Sequence, residues 1–201
     1  IRRQRQMCIR DSDETRCSLV SWGFNPEYIT NIPSGCDTKF YSTVTPTKVI
    51  EDASDVIFTG RLVDYKRVDL ILSAVRVLHE QGIDIKAGII GDGPEMAQLV
   101  TQASEDGITA NVKFHGFIET AEDTVSIMKA SKMFVYAAAP LGGWALTPIE
   151  ANACGLPVIT SAAGTMGLNE VVEDGYNGLV ADEETPDAIA KQIQIILSDD
   201  S

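Results

Sequence analysis

From Asp55 onward the chain alternates between short apolar runs of strand length and longer stretches of helical period, an arrangement that few folds accept. The runs are DVIFT (55–59), KAGII (86–90), VKFH (112–115), MFVYA (133–137), PVITS (157–161) and GLVA (178–181). In 68–81 the apolar positions Val68, Ile71, Leu72, Val75 and Leu78 fall three or four apart and form one helical stripe. Pro94 stands where a first helical turn begins, and Met96, Leu99, Val100 and Ala103 continue that helix's buried face. Thr185, Pro186 and Asp187 read as a cap, a first-turn proline and an acidic first turn, opening a last helix through Ile189, Ile193 and Ile196. A run that is apolar along most of its length has little face to give to water, so its sheet must be covered on both sides. The expected fold is α/β, a Rossmann-like doubly wound parallel sheet.

Composition excludes several classes of partner. The formal net charge of −13 over 201 residues argues against a nucleic-acid surface, and the one dense basic run, Arg2, Arg3, Arg5 and Arg10, is confined to the terminus. No stretch approaches the roughly 18 apolar residues that span a bilayer, and no signal-peptide pattern is present. Cys8, Cys17, Cys36 and Cys154 share no metal-ligand spacing, so they read as reduced thiols of a cytoplasmic protein, with neither a metal site nor a disulfide framework.

Residues 1–12 have no apolar period and a charge balance opposite to the rest, so they are set aside as a non-native leader; a basic surface helix is the alternative. Residues 13–50 are rich in turn formers (Asn25-Pro26, Pro33-Ser34-Gly35, Thr45-Pro46) and read as the end of a preceding domain plus a linker. The ligand-binding domain is placed at 51–201, and both ends of the chain read as cut.

In an open parallel sheet, ligands bind beyond the carboxyl ends of the strands. Gly60, Arg61 and, five residues on, Lys66 follow the first run; Gly91-Asp92-Gly93-Pro94 follows the second; Gly116-Phe117 closes the third. Gly142-Gly143-Trp144-Ala145-Leu146-Thr147 leads into the helix that carries Glu150. Glycines let backbone amides approach a ligand, and helix N-termini favour anions. Two cations in one such loop suit a diphosphate, because arginine grips two oxygens and lysine supplies a point charge. Each feature also has a plainer reading. A lone cation in a loop is usually solvated, Gly91–Pro94 could be an ordinary turn, and His115 is more often structural than catalytic. Glu150 could simply face solvent, while Phe134 and Tyr136 are core by default.

The order of these features is more specific than any one of them. The blocks GRLVDYKRVDLILSAV, IIGDGPE, VKFHGFI, WALTPIEANACGLPVITS and GLNEVVEDGYNGLV resemble, in sequence order and over 55–199, the C-terminal domain of family 4 retaining glycosyltransferases of GT-B fold. NIPSGCDTKFY resembles the segment by which that family's chain enters this domain. The resemblance implies a nucleotide-sugar site for a UDP- or GDP-linked hexose, with the acceptor sugar or lipid held by an N-terminal domain not in this sequence. Any helix for peripheral membrane association would lie in that domain too. It implies that Arg61 and Lys66 neutralise the departing diphosphate, and that Glu150 takes the ribose hydroxyls. Backbone amides at Ala145, Leu146 and Thr147 would face the phosphates, Gly116 and Phe117 would border the base, and Gly60, Gly91 and Gly93 would shape the rim. No cofactor or metal is implied.

Four departures cluster where the sugar would lie. The family's glutamate eight positions before Glu150 is Gly142 here, and its glycine after the lysine is Arg67. Ala138-Ala139 replaces a common Pro-Ser, and Ala145 a frequent glycine. Gly142 keeps a non-catalytic nucleotide-sugar-binding or scaffold protein open as an alternative; another GT-B enzyme, such as a non-hydrolysing epimerase, would share the fold but not necessarily the Glu150 block. A dinucleotide-dependent oxidoreductase fits poorly, since Met96 stands where the glycine fingerprint needs its third glycine.

Overall fold

The computed structural model describes residues 8–10, 13–32, 34–46, 53–138, 146–161 and 168–198. Among these residues six parallel strands form one sheet: β3 (Val56–Thr59), β4 (Ala87–Ile90), β5 (Val112–Gly116), β6 (Met133–Tyr136), β7 (Val158–Ser161) and β8 (Gly178–Ala181). Their spatial order is β5-β4-β3-β6-β7-β8. The chain builds outward from β3 to β5, returns to the other side of β3 as β6, and builds outward again. That reversal makes the carboxyl ends of β3 and β6 the topological switch point of a doubly wound sheet.

The expected alternation is therefore the observed one, with each strand within a residue or so of its apolar run. β4, β6 and β7 are buried along their length and β3 at all but its last residue, Thr59; Val56, Ile57, Phe58, Met133, Phe134 and Val135 are wholly inaccessible. Helices cover the sheet: α3 (Val68–Glu80), α4 (Met96–Glu105), α5 (Ala121–Lys129), α6 (Leu146–Ala153) and α7 (Pro186–Ser198). All five residues of the α3 stripe are buried, joined by Leu70 and Ala74. In α4 the face is narrower than its spacing predicts. Leu99 and Ala103 are buried, Met96 is partly covered, and Val100 is 47 % exposed. A helix of 10 residues against one sheet face offers a stripe, and Val100, one position after Leu99, lies off it. Pro94 lies in the turn two residues ahead of α4, inside no helix. The α7 cap is as expected, with the Ala188 amide donating to Thr185 Oγ1 at 3.3 Å.

The chain before the sheet is more regular than its composition suggests, and three residues of the segment set aside as a leader pair with the turn-rich part. A parallel strand pair, β1 (Cys8–Arg10) and β2 (Ile29–Asn31), flanks α1 (Asp13–Ser21), and α2 (Thr38–Thr43) follows. Asp37 caps α2 through its carboxylate, 3.1 Å from the Phe40 amide. α2 then docks on the domain: Lys129 Nζ, at the end of α5, donates to the Val44 and Ser42 carbonyls at 2.7 and 3.3 Å.

Candidate functional site

Three loops meet backbone to backbone at the carboxyl edge of β3, β4 and β5. The Gly60 amide donates to the Ile90 carbonyl at 3.0 Å, Leu62 to Asp92 at 2.9 Å and Gly91 to Gly116 at 2.8 Å. The Glu95 amide returns a bond to the Leu62 carbonyl at 3.2 Å. Gly91 and Gly93 are required at this approach. A Cβ at Gly91, whose φ is +131°, would overlap the Gly60 carbonyl oxygen and lie 2.9 Å from its carbon. One at Gly93 would overlap the Leu62 carbonyl oxygen and come within 2.7 and 2.8 Å of that residue's backbone carbon and nitrogen. These glycines do more than turn the chain into α4, because they let the β4 loop touch the β3 loop.

The loops enclose a cleft of about 440 Å³. Gly60 and Arg61 line it from β3, Gly91 and Asp92 from β4, Phe117 and Ile118 from the β5 loop. Arg61 is exposed, and among the described residues no hydrogen bond or ion pair ties its guanidinium. Phe117 is 74 % exposed, a large ring presented to solvent beside a cation. Together they offer a planar ligand a stacking face and an anion a bidentate donor.

Lys66 is placed differently. It ends a short 3₁₀ turn (Asp64–Lys66), is half-buried, and donates from Nζ to Tyr136 Oη at 2.6 Å. Burial lowers its pKa from the ordinary 10.5. Arg61 thus opens on the cleft while Lys66 is held against the end of β6, on the other side of the switch point. Arg67 follows in a left-handed conformation, φ +51° and ψ +41°, which costs a non-glycine residue on the order of 1 kcal/mol. A left-handed position suits the glycine that the family pattern has there. Here the guanidinium is tied instead to Asp69, at 3.1 to 3.4 Å.

Leu146 and Thr147 open α6, Leu146 exposed and Thr147 half-buried, while Gly142 and Ala145 lie outside the described residues. Glu150, one turn into α6, is half-buried and does not merely face solvent. Burial, followed by a hydrogen bond to Glu150, raises the Tyr41 hydroxyl's pKa above its ordinary range. Burial likewise pushes the Cys154 thiol up to about 11, with Glu150 and Cys36 adding to the shift. His115 lies away from the cleft, over Gly88 of the adjacent strand: a Cβ at Gly88 would sit 3.2 Å from His115 Nε2 and 2.7 Å from Ile57 Cδ1.

Three residues near the site escaped sequence reasoning. Asp92 lines the cleft inside a motif read for its glycines. Tyr136 carries its polar tip at the end of an apolar strand, and Tyr41 comes from a segment that reads as a linker. Among the described residues no group of three or more His, Cys, Asp or Glu is placed to hold a metal ion, and no helix is long and apolar enough to cross a membrane.

The family profile described as glycosyl transferases group 1 matches residues 45–201. Over 199 residues the chain is 28 % identical to the GDP-mannose-dependent alpha-(1-6)-phosphatidylinositol monomannoside mannosyltransferase of Mycolicibacterium smegmatis, covering 92 % of this chain and 51 % of that protein. It is 30 % identical over 154 residues to the GDP-mannose-dependent alpha-(1-6)-phosphatidylinositol dimannoside mannosyltransferase of Mycobacterium tuberculosis, covering 77 % of this chain and 37 % of that one. Anabaena HepE, crystallised in complex with UDP, has the same fold, with a TM-score of 0.82 at 24 % identity over 95 % of this chain and 54 % of HepE. The chain spans about half the length, or less, of the curated relatives it matches.

Proposed function

Because this chain belongs to the group 1 glycosyl transferases and has their GT-B, Rossmann-like fold, we propose that it is the donor-binding half of a retaining hexosyltransferase of the family 4 type. Its ligand would be a UDP- or GDP-linked hexose, and the acceptor would be held by the remainder of a longer protein. The observation that carries the reading is Arg61 opening on a cleft rimmed by the exposed Phe117, at the carboxyl edge of the sheet. Relatives named for GDP-mannose and a fold neighbour bound to UDP support a nucleoside diphosphate sugar without choosing the base.

In such a transfer the bond from the anomeric carbon to the diphosphate oxygen breaks, and negative charge develops on the leaving group. In this reading Arg61 and the Lys66 ammonium, both near the switch point, would take that charge, Arg61 through two parallel N–H donors and Lys66 as a point charge. Phe117 offers the base a stacking face. Glu150 retains acceptor sites for ribose hydroxyls while Tyr41 occupies another, since a carboxylate presents about four lone-pair positions.

Calorimetric titration of the chain with UDP, GDP and ADP is expected to show weak binding of at least one nucleotide, because half of an interdomain cleft supplies half of the contacts. No heat with any of the three rejects the proposal. Glu150 is expected to make the chain prefer ribose. A 2′-deoxynucleotide loses one charge-assisted hydrogen bond and should bind about tenfold more weakly. In Glu150→Ala that gap should close; the same preference in parent and variant would take Glu150 out of the site.

A further inference from the structure

The cation assigned to the diphosphate is already engaged by the protein. Lys66 Nζ lies 2.6 Å from Tyr136 Oη, 4.9 Å from the centroid of the same ring and 5.4 Å from that of Tyr65. Tyr136 is only 1 % exposed and is the last of three stacked rings, Phe58, Phe134 and Tyr136, with centroids 6.3 and 6.4 Å apart. Phe58 is on β3 and the other two are on β6, the strands that flank the reversal in the sheet. A hydroxyl mounted on that wall has little freedom, so an ammonium bonded to it has little as well. Burial pushes the Tyr136 pKa up to about 12, so the hydroxyl keeps its proton while a lone pair accepts from Lys66.

We infer that Tyr136 is a positioning residue, which holds the Lys66 ammonium at the carboxyl end of β6 so that it meets a bound diphosphate in an arrangement already formed. A free lysine would have to give up its rotamers when the ligand arrives, and here that loss is incurred on folding. The role depends on the donor-site reading for its ligand; the contact between Lys66 and Tyr136 does not.

The test uses Tyr136→Phe, which keeps the ring in the stack and removes the acceptor. On the chain labelled with 15N at lysine, the hydrogen-bonded Lys66 ammonium is expected to give a slowly exchanging NMR cross-peak, assigned by its absence from Lys66→Ala. That peak should vanish in Tyr136→Phe and survive in Tyr65→Phe; its survival in Tyr136→Phe overturns the contact. Titration with UDP and GDP then reads the role. Tyr136→Phe should weaken binding about fivefold in the parent and less than twofold in Lys66→Ala, the coupling expected of two groups that act as one. Equal losses in both backgrounds would mean that Tyr136 acts independently of Lys66 and would overturn the inference. If the parent binds neither nucleotide, the donor-site reading fails and the role falls with it, while the NMR result still decides the contact.

Discussion

Gly93→Ala is expected to destabilise the protein by about 3 kcal/mol and to abolish nucleotide binding, although the change adds one methyl group. The added carbon would overlap the Leu62 carbonyl oxygen and crowd the Leu62 backbone at 2.7 and 2.8 Å. A clash with a side chain can be relieved by a new rotamer, but a clash between two backbones requires one loop to move. The β3 loop cannot move without breaking the bonds from Leu62 to Asp92 and from Glu95 to Leu62, at 2.9 and 3.2 Å. The melting temperature should therefore fall by roughly 6–12 °C. The walls that carry Arg61 and Asp92 should separate in the same step. Gly91→Ala should behave alike, with the added strain of a side chain at φ +131°. Thermal unfolding followed by circular dichroism, with calorimetry on the folded fraction, checks both effects. An unchanged melting temperature with intact binding would show that the two loops can part without cost.

The double variant Arg61→Ala/Lys66→Ala is expected to lose roughly 10²- to 10⁴-fold in nucleoside diphosphate affinity. Each cation contributes about 1.5–3 kcal/mol through charge-assisted hydrogen bonds, and the two act from opposite sides of the switch point, so the losses should nearly add. The single variants should separate by pH. Burial holds the Lys66 pKa below its ordinary 10.5, so the ammonium loses its proton, and its attraction for phosphate, at a lower pH than a surface lysine would. Parent affinity should fall as pH rises through that depressed value. Arg61→Ala should keep the fall, because Lys66 still titrates, and Lys66→Ala should lack it, because arginine stays charged throughout. Titrations with UDP and GDP between neutral and alkaline pH read this directly. A pH-dependent loss that persists in Lys66→Ala would assign it to another group and place Lys66 away from the phosphates.

Much of the architecture could be read along the chain because burial on both faces leaves a local trace. A β3 or β6 residue has no solvent side, so VIFT and MFVY stand out as apolar at almost every position. α3, half covered, shows its stripe at Val68, Ile71, Leu72, Val75 and Leu78. Val100 misled because spacing indicates a helix face without indicating how much of it the sheet can cover. The short helix α2 was not visible for a related reason. It buries no residue of its own and owes its place to contacts made from elsewhere, Lys129 with the Val44 carbonyl and Tyr41 with Glu150.

The chemistry of the site divides along the same line. That Arg61, Gly91, Gly93 and Phe117 lie at the carboxyl edge of the sheet could be expected from one dimension, since a loop after a strand in a parallel sheet has only one place to be. That Gly93 admits the Leu62 backbone could not, nor that Arg61 and Lys66, five residues apart in one loop, turn to different sides. The partner of Lys66 is 70 residues away, and in sequence Tyr136 is one more large residue on a buried strand. Its hydroxyl meets the lysine only where the strand order reverses and β3 lies beside β6. Strand and helix were written in nearest-neighbour periodicity, which every stretch of chain carries by itself. The hold on the lysine needed two distant segments in register, and that depends on how the whole sheet packs.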